Sequence, residues 1–286
     1  MRTLKISYSI ILILFVYGIH AKDFVFPKPS SNLISKDFFN QKNVKTPKNG
    51  EYLIEFQYQG KWKKSGLVEF PKEYMNWNIS KRIKTLEQIE NLMSGKSQEG
   101  PDLSGPHNGI VATKGSRRND SQFDINNAVK GMGFLPRIEV IDSLNLFLKE
   151  NMNKNQKEKL NILKSLYTDY EKLFDLRCQI SLELYSDSSM ITQTFLNQMT
   201  EPVCAIVFLD IPSYKIKAVS RILDPRNPQL TSFEKSIVEY TNLIHSFFHG
   251  QFKKEFIAIV YYNLEIYDNS PRGRKKDTGM GRLLIP

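Results

Sequence analysis

From residue 176 to residue 267 the apolar residues switch repeatedly between a period of two and a period near 3.6, and this alternation restricts the chain to an α+β fold. Cys178, Ile180, Leu182 and Leu184 alternate with Arg177, Gln179, Ser181 and Glu183, the pattern of a strand with one covered and one wetter face. Residues 190 to 199 read as a short helix. Residues 203 to 209 are continuously apolar, a proline turn follows at 211 to 214, and residues 215 to 222 alternate again, so the two runs form a hairpin. Thr231 and Glu234 have capping-box spacing ahead of Ile237, Tyr240, Ile244 and Phe248, and Gly250 stands where a helix ends. Residues 256 to 267, rich in aromatic and β-branched side chains, close the series as a strand. The order strand, helix, strand, strand, helix, strand matches the ferredoxin-like split βαβ arrangement. In that topology the second and fourth strands lie at the edges, yet here they are the most apolar. Another antiparallel sheet with helices on one face therefore remains in contention.

Upstream, Leu160, Leu163, Tyr167, Tyr170 and Phe174 place an amphipathic helix over residues 154 to 174. Ile54, Phe56 and Tyr58 alternate with Glu55 and Gln57, Gln59-Gly60 turns the chain, and residues 62 to 70 return as the second strand of a hairpin. Ile83, Leu86, Ile89 and Leu92 predict a helix over 79 to 94. Residues 95 to 135 are punctuated by glycine and proline and poor in large apolar residues, so they read as a long loop, with any domain boundary near its end. The expected organisation is a leader (1–21), an extended segment (22–50), a region of hairpin, helix and Gly-rich loop (51–135), an α+β domain (136–267) and a basic flexible tail (268–286).

The leader predicts the compartment. Arg2 and Lys5 precede an apolar run from Ile10 to Tyr17, and the small residue Ala21 follows, the three regions of a cleavable signal peptide. The run is shorter than the roughly 20 residues a membrane-spanning helix needs. A secreted or periplasmic protein is expected. Losing Arg2 and Lys5 with the leader lowers the formal charge from +10 to +8, an excess that favours an acidic macromolecule or anionic surface as partner. Plain solubility accounts for it too. The composition, 41% hydrophobic and 12% aromatic, supports a real core. Two cysteines exclude a disulfide-built scaffold. Paired in an oxidising compartment, Cys178 and Cys204 would stabilise the fold by about 3 kcal/mol; as buried free thiols they would be inert.

His245 and His249, four apart on the capped helix, can share a zinc ion. The zinc-protease form of that spacing requires a glutamate directly after the first histidine, where this chain has Ser246. A third ligand would come from His107, Glu239 or Asp210. The plainer expectation is one solvated and one partly packed histidine. No G-x-S-x-G elbow marks a nucleophile. Lys114, Arg117 and Arg118 make the Gly-rich loop an anion-binding candidate, although it lacks P-loop spacing. Arg272, Arg274, Lys275, Lys276 and Arg282 give the tail the character of a polyanion-binding arm. Asn78 and Asn119 open glycosylation sequons. These features predict an exported binding or interaction protein whose basic loop and tail meet an acidic partner. The alternative is a zinc-dependent hydrolase using His245 and His249, and a structural subunit of an envelope or secreted assembly is a third reading.

Overall fold

The computed structural model describes residues 34–48 except 36, then 51–102, 104–187, 189–271 and 281–285. The leader and the tail cations Arg272, Arg274, Lys275 and Lys276 lie outside the described residues. The chain opens with a two-residue ladder, β1 (Ile34–Ser35) on β2 (Phe38–Phe39). A small sheet follows from β3 (Val44–Lys45), β4 (Leu53–Tyr58) and β5 (Lys61–Gly66). The expected hairpin is β4–β5, and it turns at Gln59 and Gly60 with φ of 51° and 75°, the left-handed pair that matches the twist of the strands. The helix predicted from residue 79 is longer: α1 (Lys72–Met93) starts behind Pro71, and its first turns bury Tyr74, Met75 and Trp77. Tyr74 and Trp77 pack against Phe208 and Tyr214, with ring centres 5.0–6.1 Å apart.

The segment read as a loop supplies three strands, β6 (Asn108–Lys114), β7 (Ile125–Gly131) and β8 (Gly133–Pro136). Small and polar residues hide them in the sequence. Gly109 shows why one of them must be small: a Cβ there would lie 2.9 Å from the Met132 side chain and 3.0 Å from Ile206. Next come α2 (Ile141–Glu150), α3 (Gln156–Thr168) capped by Asn155 and Glu158, the single turn α4 (Tyr170–Leu173) and β9 (Phe174–Glu183). The C-terminal elements follow the predicted order: α5 (Gln193–Thr200), β10 (Val203–Phe208), β11 (Tyr214–Leu223), α6 (Ser232–His249) and β12 (Ile257–Asp268). The capping box of Thr231 and Glu234 is formed, and Gly250 takes φ 95° at the end of α6. Residues expected to belong to a flexible tail form β13 (Arg282–Ile285), which pairs with β12.

The main sheet runs β7-β6-β10-β11-β12-β9-β8 with every pair antiparallel. The protein is thus α+β, with an antiparallel sheet and helices. The split βαβ arrangement is not formed, because it requires a parallel pair joined by a crossover helix, whereas β9 lies beside β12 and β8. Strands from both sides of residue 135 share this one sheet, so it runs across the expected boundary. Residues 257–263 of β12 are buried without interruption; since neighbours on a strand point to opposite faces, the centre of the sheet is covered on both.

The two ends of this strand order meet. Only Met132 separates β7, which pairs with β6, from β8, which pairs with β9. In the register set by Gly133 opposite Ile180, Lys130 falls opposite Glu183, and their side chains form an ion pair at 2.6 Å. The sheet therefore closes into a ring, and Met132 sits at its seam. Its amide donates to the His107 carbonyl at 2.7 Å.

Cys178 on β9 and Cys204 on β10 are free and buried. Two strands stand between theirs, a separation of about 14 Å at normal strand spacing, well beyond disulfide reach. Both thiols are free and buried, so the expected pairing is not formed, and burial pushes the Cys204 thiol up to about 12. Among the described residues no helix is long and apolar enough to cross a membrane.

Candidate functional site

A cavity of about 350 Å³ opens beside the seam, between α1, α3, α6 and the segment leading into β6. Helical spacing builds three of its walls. Arg82, Thr85, Leu86 and Ile89 recur along one side of α1, Leu163 and Tyr167 are four apart on α3, and Ile244, His245, Phe248 and His249 occupy adjacent turns of α6. Pro106, His107 and Met132 complete it from the sheet side. Leu86, Ile89, Leu163, Ile244 and Phe248 give the cavity apolar walls, and Arg82, His107, His245 and His249 stand among them, a mixture suited to a small ligand.

Arg82 is the dominant charge. Its side chain is 4% exposed. Its Nε donates to Asn78 Oδ1 at 2.7 Å, Nη2 donates to the carbonyls of Met132 and Pro106 at 2.7 and 3.1 Å, and Nη1 reaches the Tyr167 hydroxyl at 3.5 Å. The guanidinium also lies over the rings of Phe134 and Tyr167, 5.0 and 5.5 Å from their centres. Every one of these partners is neutral. Among the described residues no carboxylate pairs with Arg82. Buried charges are normally paired, because removing an ion from water costs several kcal/mol that only an opposite charge or strong hydrogen bonds offset. Arg82 also ties down two carbonyls at the seam, bonds that leave its charge without an opposite charge beside it. Asp102, the acidic residue of the lining, is exposed and accepts from the Ser104 amide at 2.8 Å, a bond that lowers its carboxyl value.

His107, His245 and His249 all line this cavity. His245 Nδ1 lies 2.8 Å from the Thr241 carbonyl; since a carbonyl only accepts, Nδ1 carries the proton and Nε2 keeps its lone pair. Burial pushes His245 down to about 4. The surface of His107 opens to solvent through the cavity, but protein packed around the ring, with the Arg82 charge second, lowers it to about 3. His249 is exposed and is lowered by partial burial. All three are neutral at pH 7. His245 and His249 have ring centres 6.4 Å apart, and Phe248 stands between His107 and His249, 6.3 and 4.7 Å from them. Two imidazoles on one zinc bring their ring centres to about 5 Å. No group of three metal-binding side chains converges among the described residues. The carboxylates weighed as a third ligand are engaged elsewhere: Glu239 with Lys149 and Asn145, Asp210 with Trp77 and Lys81.

The basic loop does not join this site. Arg118 is bound bidentately by Asp120 at 2.6 and 2.8 Å, while Lys114 and Arg117 are exposed. Gly115 presses on α5, where a Cβ would come within 2.8 Å of Asn197 Cα, so this glycine serves packing. Of the tail cations, the described Arg282 pairs with Glu73 and Asp268. The Asn78 sequon lies inside α1, where its side chain is wholly buried, donating to Tyr74 and accepting from Arg82; Asn119 is exposed in a turn. The residue that sequence reasoning missed is Arg82. Its signal was present as a cation on the buried stripe of Met75, Asn78 and Leu86, where an apolar residue belongs. Comparison with known proteins gives no match to a family model and none to a curated protein sequence.

Proposed function

We propose that the protein is an exported binding protein and that the cavity beside Met132 receives the anionic group of its ligand. The observation that carries this reading is Arg82, a buried cation with neutral partners only, on the wall of a cavity large enough for a small molecule. An entering anion meets a fixed guanidinium in a medium of low dielectric, where an ionic contact is far stronger than in water. The Tyr167 hydroxyl, accepting from Arg82, is free to donate its own proton to the ligand. The overall positive charge, with Lys114, Arg117 and the tail residues Arg272, Arg274, Lys275 and Lys276, draws acidic partners toward the protein. A thermal-shift panel of small organic anions beside matched neutral and cationic compounds tests it. Anions alone should raise the melting temperature, and Arg82→Met should abolish the rise; equal responses to all three classes would remove Arg82 from the site.

A metal-dependent hydrolase is the second reading. It is supported by one observation: His107, the third histidine outside the leader, lines the same cavity as His245 and His249, and all three are neutral, the state in which imidazole binds metal. It requires side-chain movement to bring the rings together. Protein purified without added metal should then carry stoichiometric zinc that His249→Ala loses, and a metal-free preparation ends this reading.

A further inference from the structure

We infer that the ligand of this cavity is an amphipathic monoanionic acid, with its acid group at Arg82 and Tyr167 and an apolar body of about ten carbons along Leu86, Ile89, Leu163 and Ile244. This rests on the reading of the cavity as an anion site and adds the chemistry of the rest of the molecule. Arg82 stands at the seam, held by the carbonyls of Pro106 and Met132, while three different helices supply aliphatic side chains to the same space. A fully hydrated inorganic anion would leave those aliphatic walls wet. An acid with an apolar body satisfies both halves at once. Size sets the length of the body. A cavity of about 150 Å³ holds the six carbons of benzene, so the 350 Å³ found here corresponds to roughly a dozen non-hydrogen atoms, the size of decanoate.

The charge of the ligand follows from its surroundings. Arg82 is cationic, the three histidines are neutral, and Asp102 lies exposed and hydrogen-bonded to Ser104, so one negative charge balances the interior. His245 Nε2, with its lone pair, disfavours a second acidic oxygen beside it unless the ring takes up a proton.

Isothermal titration of the whole protein with decanoate, octanoate, hexanoate, acetate, decanol and decylammonium, each below its micellar range, tests the inference. Each buried methylene contributes about 0.8 kcal/mol, a factor of about four in affinity, so octanoate should bind roughly 15-fold more weakly than decanoate and acetate should show no measurable heat. Decanol and decylammonium should bind at least tenfold more weakly than decanoate. Thr85→Phe, which fills the cavity from α1 and leaves Arg82 in place, should abolish decanoate binding while the protein keeps its melting temperature. If affinity is the same for acetate and decanoate, the anion site stands and the apolar body is refuted. If decanol equals decanoate, the anion reading itself fails. If none of the series binds, both fail.

Discussion

Arg82 and Arg221 are both nearly shielded from solvent, at 4% and 9% exposure, yet only one of them faces an opposite charge. Arg221 on β11 meets Glu234 at 2.7 Å through Nη2 and 3.1 Å through Nε, and its Nη1 donates to the Gln41 carbonyl at 2.7 Å. Glu234 in turn accepts from Thr46 and from the Thr231 amide as the capping residue of α6. Burial alone would raise the Glu234 carboxyl, but the Arg221 charge and these hydrogen bonds hold it below its usual value. That network is closed. Arg82 has as many hydrogen bonds and no anion, and it borders a cavity. Arg221 has its counter-charge within the chain, whereas on the proposed reading the ligand supplies the one for Arg82.

The largest effect that would test this contrast is Glu234→Ala. It strands Arg221 as an unpaired buried cation and should cost about 3–5 kcal/mol, read from the midpoint of urea unfolding; a loss below 1 kcal/mol would show that the pair contributes little to the fold. Arg82→Met should cost less, about 2 kcal/mol, because no charge is left stranded and cavity water can reach the freed carbonyls of Pro106 and Met132. A loss matching that of Glu234→Ala would make Arg82 chiefly architectural. Tyr167→Phe keeps the ring beneath Arg82 and removes one donor, so decanoate affinity should fall about tenfold, or 1.4 kcal/mol, with stability nearly unchanged.

A separate test is the pH response. The folded value of His245, about 4, lies below the ordinary 6.5, so between these limits the unfolded chain binds more protons than the native one. Stability is therefore complete above pH 6.5 and declines as pH falls toward 4. His245→Gln should make that decline shallower and leave the part due to His107, which is likewise lowered, to about 3. A bound anion should oppose it by favouring the imidazolium, so a protein whose acid sensitivity is identical with and without decanoate would argue against a shared cavity.

The difference in legibility follows the same division between pattern and position. Elements with a clean period, such as α6 with its Thr231 and Glu234 cap or β12 with its β-branched run, were readable because local chemistry determines them. β6 and β7 were not, since Gly109, Ala112, Asn126, Asn127 and Gly131 carry no strand signal and are fixed by what they pair with or pack against. The histidines on α6 were visible at their spacing of four; their meeting with His107 depends on a contact across more than 130 positions. Arg82 looked like one cation among 40 basic residues, and only its place on the inner side of α1 distinguishes it.

Met132, the single residue between β7 and β8, also bears on the edges of the sheet. β6 lies between β7 and β10, and β9 between β12 and β8, so neither of these strands offers a free edge to another chain. Proteolytic nicking between residues 125 and 136 would release both borders together, converting a self-contained sheet into an open ribbon with two templates for aggregation.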